Sequence, residues 1–274
     1  MIVLALLPAV ILLVMIYRAD KIEKEPIGLL AKLFIFGVLT TISAMILETI
    51  GCEILNFFFY QDDLIYIIIE NFFIVALAEE IGKYFVVKKF AWKHPAFNYT
   101  FDAVVYAVVA SLGFAAFENI MYLTDETLST ALMRGVLAVP GHAIDAVFMG
   151  YYLGLAKRAE VLGDGKKCKS NLKLALWVPV FTHGFYDFCL SLDSDIMMIV
   201  FFVFEIFITI YAIKKIKKLS KEDTALYGSV YPGANTVMNM ISQGIIKYDP
   251  QTGKAYYVDP SKMNFDPMTG ERLR

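Results

Sequence analysis

Four apolar stretches of this chain are each long enough to cross a bilayer, and each carries ionisable residues in mid-span: Glu79 and Glu80, then Glu118, then His142, then His183 with Asp187. A charged side chain at mid-bilayer costs about 2.5 to 3.5 kcal/mol even on lenient insertion scales, so such residues on separate helices are expected to face one shared polar interior. The pattern points to an enzyme or a transporter built inside the membrane. Composition agrees, since 58% hydrophobic against 19% charged residues is too apolar a mix for an ordinary soluble domain. A net charge of -2 leaves no basic footprint, so nucleic acid is set aside as a partner.

Apolar runs predict an all-α polytopic membrane protein with about seven transmembrane helices, near 2–17, 28–50, 64–87, 101–123, 131–156, 174–192 and 196–213. The first run lacks a basic leader and a small-residue cleavage site and contains Pro8, so it reads as a retained span. A re-entrant piece near Asn56 to Tyr60 is compatible with the pattern. Charge alternates along the connections. Arg18, Lys21 and Lys24 follow the first span, Asp62 and Asp63 the second, Lys88, Lys89 and Lys93 the third, and Asp125 and Glu126 the fourth. Lys157 to Lys173 follow the fifth, Asp193 and Asp195 the sixth, and Lys214 to Lys221 the seventh. Positive loops stay cytoplasmic, which predicts a multi-pass cell-membrane protein with its N-terminus outside and its C-terminus inside.

Two regions are expected: an integral membrane domain over 1–218 and a polar cytoplasmic tail over 219–274. The tail repeats a DPxTG unit, once in Tyr248 to Lys254 and once in Phe265 to Glu271, with the fixed φ of proline and the freedom of glycine that tight turns need. It reads as a short hairpin-like or unstructured terminus, either passive or able to bind a cytoplasmic partner. Cys52, Cys168 and Cys189 have no metal-binding or disulfide spacing, and Cys52 and Cys189 read as small core residues.

The third span contains Glu79-Glu80-Ile81-Gly82-Lys83, with Lys83 on the same helical face as both carboxylates, so one glutamate is expected to pair with the ammonium and the other to stay free as a general base. The fourth span combines small residues with polar ones in Gly113-Phe114-Ala115-Ala116-Phe117-Glu118-Asn119, which suits close helix approach and polar pairing. In the fifth, Pro140 is expected to interrupt the helix beside His142, and Gly150 with Gly154 make a helix contact face. In the sixth, His183 and Asp187 stand one turn apart, so the carboxylate can orient the imidazole. Two histidines and several carboxylates suit either water activation by a base or coordination of a metal.

Taken in order through spans three to six, these four motifs resemble the PrsW family of intramembrane proteases, related to the CAAX prenyl endopeptidase and Abi group. The resemblance implies an intramembrane endopeptidase cutting a membrane-anchored protein substrate, as the family's namesake cuts an anti-sigma factor. It implies that Glu79 or Glu80 activates water, that His142 and His183 polarise the scissile carbonyl and stabilise its oxyanion, that Asp187 orients His183, and that Glu118 supports or joins them. Ser111 stands where the family usually has glycine, and the repeat-bearing tail has no counterpart.

The absence of HExxH and the scatter of the candidate ligands favour a glutamate-type enzyme that requires no cofactor; in a zinc enzyme the ligands would be Glu80, His142 and His183. A proton- or ion-coupled transporter would use the same residues as a relay, but the chain has no inverted repeat or matched pair of broken helices. A non-catalytic scaffold is the third reading. Counting along each span puts Glu118 and His142 nearer the outer leaflet than Glu80 and His183, so tilt or shifted boundaries must bring them together.

Overall fold

The computed structural model describes residues 2–125, 128–226, 246–248 and 255–257. Its axis is α5 (Asp102–Asp125), whose run of alanine, valine and glycine is apolar on every side, as in a helix with no face left to solvent or lipid. Every residue from 101 to 116 is buried. Against this axis pack α1 (Ile2–Ala19), α2 (Ile27–Phe58) and α7 (Ala138–Val161). A second group follows the path α3 (Leu64–Ile69), a π-helical turn (Glu70–Val75) and α4 (Ala76–Phe90), and meets α8 (Gly165–Ser191). The short α6 (Leu128–Val136) leads into α7, and α9 (Asp195–Lys221) lies against α7 and α8 with most of its large apolar side chains exposed, as lipid contact requires.

Among the described residues the regular structure is helical apart from a three-residue antiparallel pair, β1 (Ile246–Tyr248) with β2 (Ala255–Tyr257). The DPxTG units over 249–254 and 265–271 lie outside the described residues. Among the described residues, four helical stretches are long and apolar enough to cross a membrane: Ile27–Phe58, Asp102–Leu123, Leu132–Val161 across the α6–α7 break, and Asp195–Lys221. The other expected spans are helical too, as α1, the α3 to α4 path and α8, but they are shorter or carry more polar residues.

Three boundaries differ from the sequence reading. Helix α2 continues to Phe58, which absorbs the region expected to hold a re-entrant piece. The fifth span breaks at Leu137, so Pro140 lies in the first turn of α7, where its missing N–H costs nothing, and it begins that helix instead of interrupting it. The sixth starts at Gly165, where the Asp164 side chain accepts from Lys167 N at 3.0 Å, and most of the expected basic loop is helical. What remains is a tight connection through Gly163, at φ 75°, where glycine carries no penalty.

Small residues set the helix spacing. A Cβ on Gly37 would fall on the carbonyl oxygen of Ala110, and one on Gly113 on that of Phe34, so α2 and α5 touch backbone to backbone at both points. Gly150 and Gly154 do the same for α7 against Val104 and Thr100. Gly37→Ala is expected to cost about 1 to 3 kcal/mol through overpacking, read as a lower unfolding temperature in detergent.

At the end of the bundle rich in lysine and arginine, residues after α9 fold back onto the start of α5. Asp102 Oδ2 accepts from Asn98 N (2.9 Å) and Tyr99 N (2.7 Å), and Asp223 Oδ1 accepts from Thr100 Oγ1 and Phe101 N, both at 2.9 Å. Thr100 N donates to Thr224 O (3.1 Å) and Leu226 N to Asn98 O (2.7 Å). Ser220 Oγ donates to Ala19 O. Beneath this clasp Glu25 is buried and accepts from the Tyr106 hydroxyl.

Burial pushes the Glu25 carboxyl up to about 7 from an ordinary 4.5, and burial raises Asp20 and Asp223 too. Between those two values the folded protein holds a proton that the unfolded chain has released, so this group's contribution to stability falls as pH rises from about 4.5 to about 7 and is flat beyond. Glu25→Gln is expected to flatten that fall, measured by unfolding temperature against pH in detergent.

Candidate active site

The site is built where α4 and α8 come close beside the π-helical turn, a geometry that recurs at functional sites. Phe72 of that turn lies against Gly184 of α8, where a Cβ would stand 2.7 Å from Phe72 Cδ1. Glycine therefore lets α8 approach far enough for His183 Nδ1 to reach Glu80 Oε1 at 3.0 Å.

Lys83 is fully buried at the centre. Its Nζ lies 2.7 Å from Glu80 Oε1, 3.2 Å from Glu79 Oε2 and 3.1 Å from His142 Nδ1, and 4.2 Å above the Phe114 ring. The expectation of one paired and one free glutamate is thereby corrected. Both carboxylates sit on the lysine's face at i−3 and i−4, and an ammonium has three protons to donate. Their surroundings still separate them: Glu79 lines the neighbouring cavity, while Glu80 lies behind it, with Oε2 buried and lacking a hydrogen-bond partner.

The two histidines are held differently. His142 Nε2 lies 2.9 Å from Glu118 Oε2, and Glu118 Oε1 is 2.7 Å from Arg134 Nη2 of α6. With Lys83 donating to Nδ1, His142 is satisfied as a neutral ring whose Nε2–H donates to Glu118. His183 has carboxylates near both nitrogens: Nδ1 hydrogen-bonds Glu80 Oε1 at 3.0 Å, whereas Asp187 Oδ2 stands 3.1 Å from Nε2 without the alignment of a hydrogen bond. The rings stand edge to face with centroids 5.1 Å apart, and Glu79 Oε2 is 3.9 Å from the nearest nitrogen of each. Ser111 Oγ donates to the backbone carbonyl of His142 (2.8 Å), a use for the hydroxyl at that position.

All six predicted residues thus meet in one network, with Asp187 beside His183 on the same helical face, as their spacing implied. The early start of α8 accounts for the depth of His183, which lies eighteen residues beyond Gly165, about 27 Å along the axis, and Glu80 meets it there at 3.0 Å. The adjoining cavity has a volume of 330 Å³, and Glu79, Glu118, His142, Asp145, His183 and Asp187 face it. Donor atoms of Glu79, Glu80, His142 and His183 all lie within 4.8 Å of one another. Two carboxylates and two imidazoles are a donor set that suits zinc, with Lys83 Nζ now occupying one atom each of Glu79, Glu80 and His142 and with Glu80 Oε2 left free as a ligand atom.

Three residues of this environment escaped the sequence reading. Asp145, one turn after His142, is buried and accepts from the Thr182 hydroxyl. Glu48 of α2 lines the cavity, and Arg134 holds Glu118. The mid-span criterion applied to the other carboxylates would have found Asp145, whereas Glu48 stands near the end of the span read over 28–50 and becomes interior only because α2 continues to Phe58. Arg134 lies on α6, which had been read as part of the fifth span. Of the cysteines, Cys189 is buried as expected, whereas Cys52 is partly exposed with its Sγ 3.7 Å from Glu70 Oε1.

A family profile described as "PrsW family intramembrane metalloprotease" matches residues 25–213. The chain belongs to the PrsW family. Proteins named Protease PrsW are similar to it. That of Oceanobacillus iheyensis is 40% identical over 194 residues, covering 70% of this chain and 84% of the relative. That of Geobacillus kaustophilus is 36% identical over 183 residues, covering 67% and 76%. That of Bacillus subtilis is 32% identical over 205 residues, covering 72% and 86%. No solved structure matches the chain. The PrsW match spans α2 to α9 and includes every residue of the network above. Membership of an intramembrane protease family accords with a multi-pass membrane protein whose polar residues converge inside the bundle.

Proposed function

We propose that this PrsW-family protein is an intramembrane endopeptidase, of site-1 type on an anti-sigma factor or a similar membrane-anchored protein, and that Glu79 is the base that activates the attacking water. The observation carrying this reading is the convergence of a carboxylate pair from α4 with imidazoles from α7 and α8, within 4.8 Å, against a cavity that Glu79 faces and Glu80 does not. Glu79 accepts the water's proton as the oxygen attacks the scissile carbonyl, and the proton then passes to the leaving amide nitrogen. His183, held by Glu80 at Nδ1, turns its Nε2–H toward the oxyanion, and His142, whose nitrogens are taken by Lys83 and Glu118, backs that ring edge to face. Glu118 and Arg134 fix His142. Zinc is the group this donor set fits; Glu80, His142 and His183 would hold it, and when bound it would polarise the carbonyl and acidify its water.

The proposed topology has seven spans, with the first residue outside and the tail inside, by the excess of lysine and arginine at one end of the bundle. Residues 1–218 form the protease domain and 219–274 a cytoplasmic tail open to a partner. The experiment is cleavage of synthetic single-span substrates by purified protein, comparing wild type with His183→Ala and Asp187→Asn, each with and without a chelator. Loss of cleavage in His183→Ala and a partial loss in Asp187→Asn are expected. Zinc-reversible inhibition by the chelator would assign a metal enzyme. Equal product from wild type and variants would remove these residues from the chemistry.

A further inference from the structure

A second cavity of 320 Å³ opens between α2 and α5 and shares Glu48, Glu79, Glu118 and Tyr122 with the first. The two helices touch at Gly37 and Gly113 and part beyond them, toward the C-terminal end of α2, where α5 changes from fully buried to half-buried at Phe117. One helical stripe of α2, Thr41, Ala44, Met45 and Glu48, faces this crevice. Met45 is 43% exposed, so the crevice opens sideways, where lipid would lie.

Two features mark it as built to receive a ligand. The Thr41 hydroxyl is buried, at 2% residue exposure, and has no hydrogen-bond partner. Other hydroxyls of α2 do not behave so: Thr40, Ser43 and Thr49 each donate to a carbonyl of the preceding turn, at 2.7, 2.8 and 2.7 Å. An unmade hydrogen bond of this kind is costly in a protein interior. The second feature is charge. Glu79 has Lys83 and Glu118 has Arg134, whereas Glu48 makes no ion pair among the described residues. A carboxylate within an apolar span is expensive unless a partner offsets it.

We propose, resting on the protease reading above, that this crevice is the lateral subsite for the substrate's membrane segment, that Glu48 pairs with a lysine or arginine of that segment, and that Thr41 hydrogen-bonds its unwound backbone. The chemistry of intramembrane cleavage supplies the reason. A helical peptide bond must unwind before water can attack it, and each freed N–H or C=O then needs a partner where lipid offers none. A substrate lysine beside the cleavage site meets the same need for charge from the other direction. Glu48 is thus a specificity-determining residue, placed where the crevice meets the cavity of the base.

The test uses full-length protein with its three cysteines replaced and a cysteine at position 45, reconstituted with single-span peptides that carry a cysteine and either a lysine or a glutamine at scanned positions. Crosslinking to position 45 reads occupancy, and product formation reads cleavage. The lysine peptide is expected to exceed the glutamine peptide about tenfold in both, as for a charge pair held out of water. Glu48→Gln should bring that ratio near one, and Glu48→Lys should transfer the preference to a glutamate-bearing peptide. Thr41→Val should lower both peptides alike and leave the ratio unchanged. A lysine preference that survives Glu48→Gln, or cleavage without any crosslink, overturns the proposal. Lysine-dependent crosslinking without cleavage would keep the crevice and overturn the protease reading instead.

Discussion

Glu79→Gln is expected to lower kcat for an intramembrane substrate by about 10² to 10⁴-fold, the range for loss of a positioned general base, with little change in KM. Glutamine keeps the shape of the side chain and can still meet Lys83 through its carbonyl oxygen, so the fold should persist and the loss should sit in the chemical step. Glu80→Gln makes the comparison informative. Glu80 is buried behind the cavity wall and bonds Lys83 and His183, so its neutralisation disturbs the placement of two other groups. It should lower both the unfolding temperature and kcat, whereas Glu79→Gln should lower kcat alone. Equal kinetics with equal stability for the two variants would remove the distinction between them.

The second large effect concerns Lys83. Replacing it with methionine keeps the aliphatic stem and deletes the cation that two buried carboxylates and one imidazole share. Removing one partner of a buried ion pair leaves an uncompensated charge and costs about 3 to 5 kcal/mol. The loss should appear as a lower unfolding temperature in detergent and a smaller folded yield. Adding Glu80→Gln to Lys83→Met should recover part of it, because the charge left without a partner is then gone. If the double variant is less stable than the sum of the two single changes predicts, the ammonium is not what offsets these carboxylates.

The legible part of this architecture was the part written in hydropathy and helical spacing. Apolar runs located the helices, and i+4 spacing brought Asp187 to His183. Gly150 and Gly154 announced a contact face that the structure uses. Boundaries were less legible, because a helix such as α8 extends well past the apolar run that reveals it: Gly165 to Lys173 is polar and still helical once Asp164 caps it. Which glutamate faces the cavity could not be read from adjacent residues, since that depends on how α8 and the π-helical turn pack over α4. Nor could the sharing of Lys83 by three groups, one of them His142, fifty-nine positions away in sequence. Glu48 and Asp145 were visible as letters but not as neighbours.

The clasp after α9 fixes where the chain can be shortened. Cutting after Lys221 would keep every transmembrane helix and yet strip the first turn of α5 of the Asp223 oxygen that binds Thr100 and Phe101. Because α1, α2, α4 and α7 all pack on α5, such a truncation would loosen the protein from its centre, and it would also remove the buried Leu226. A chain ending after Leu226 retains those bonds, and a reporter fused there would leave the bundle's middle untouched.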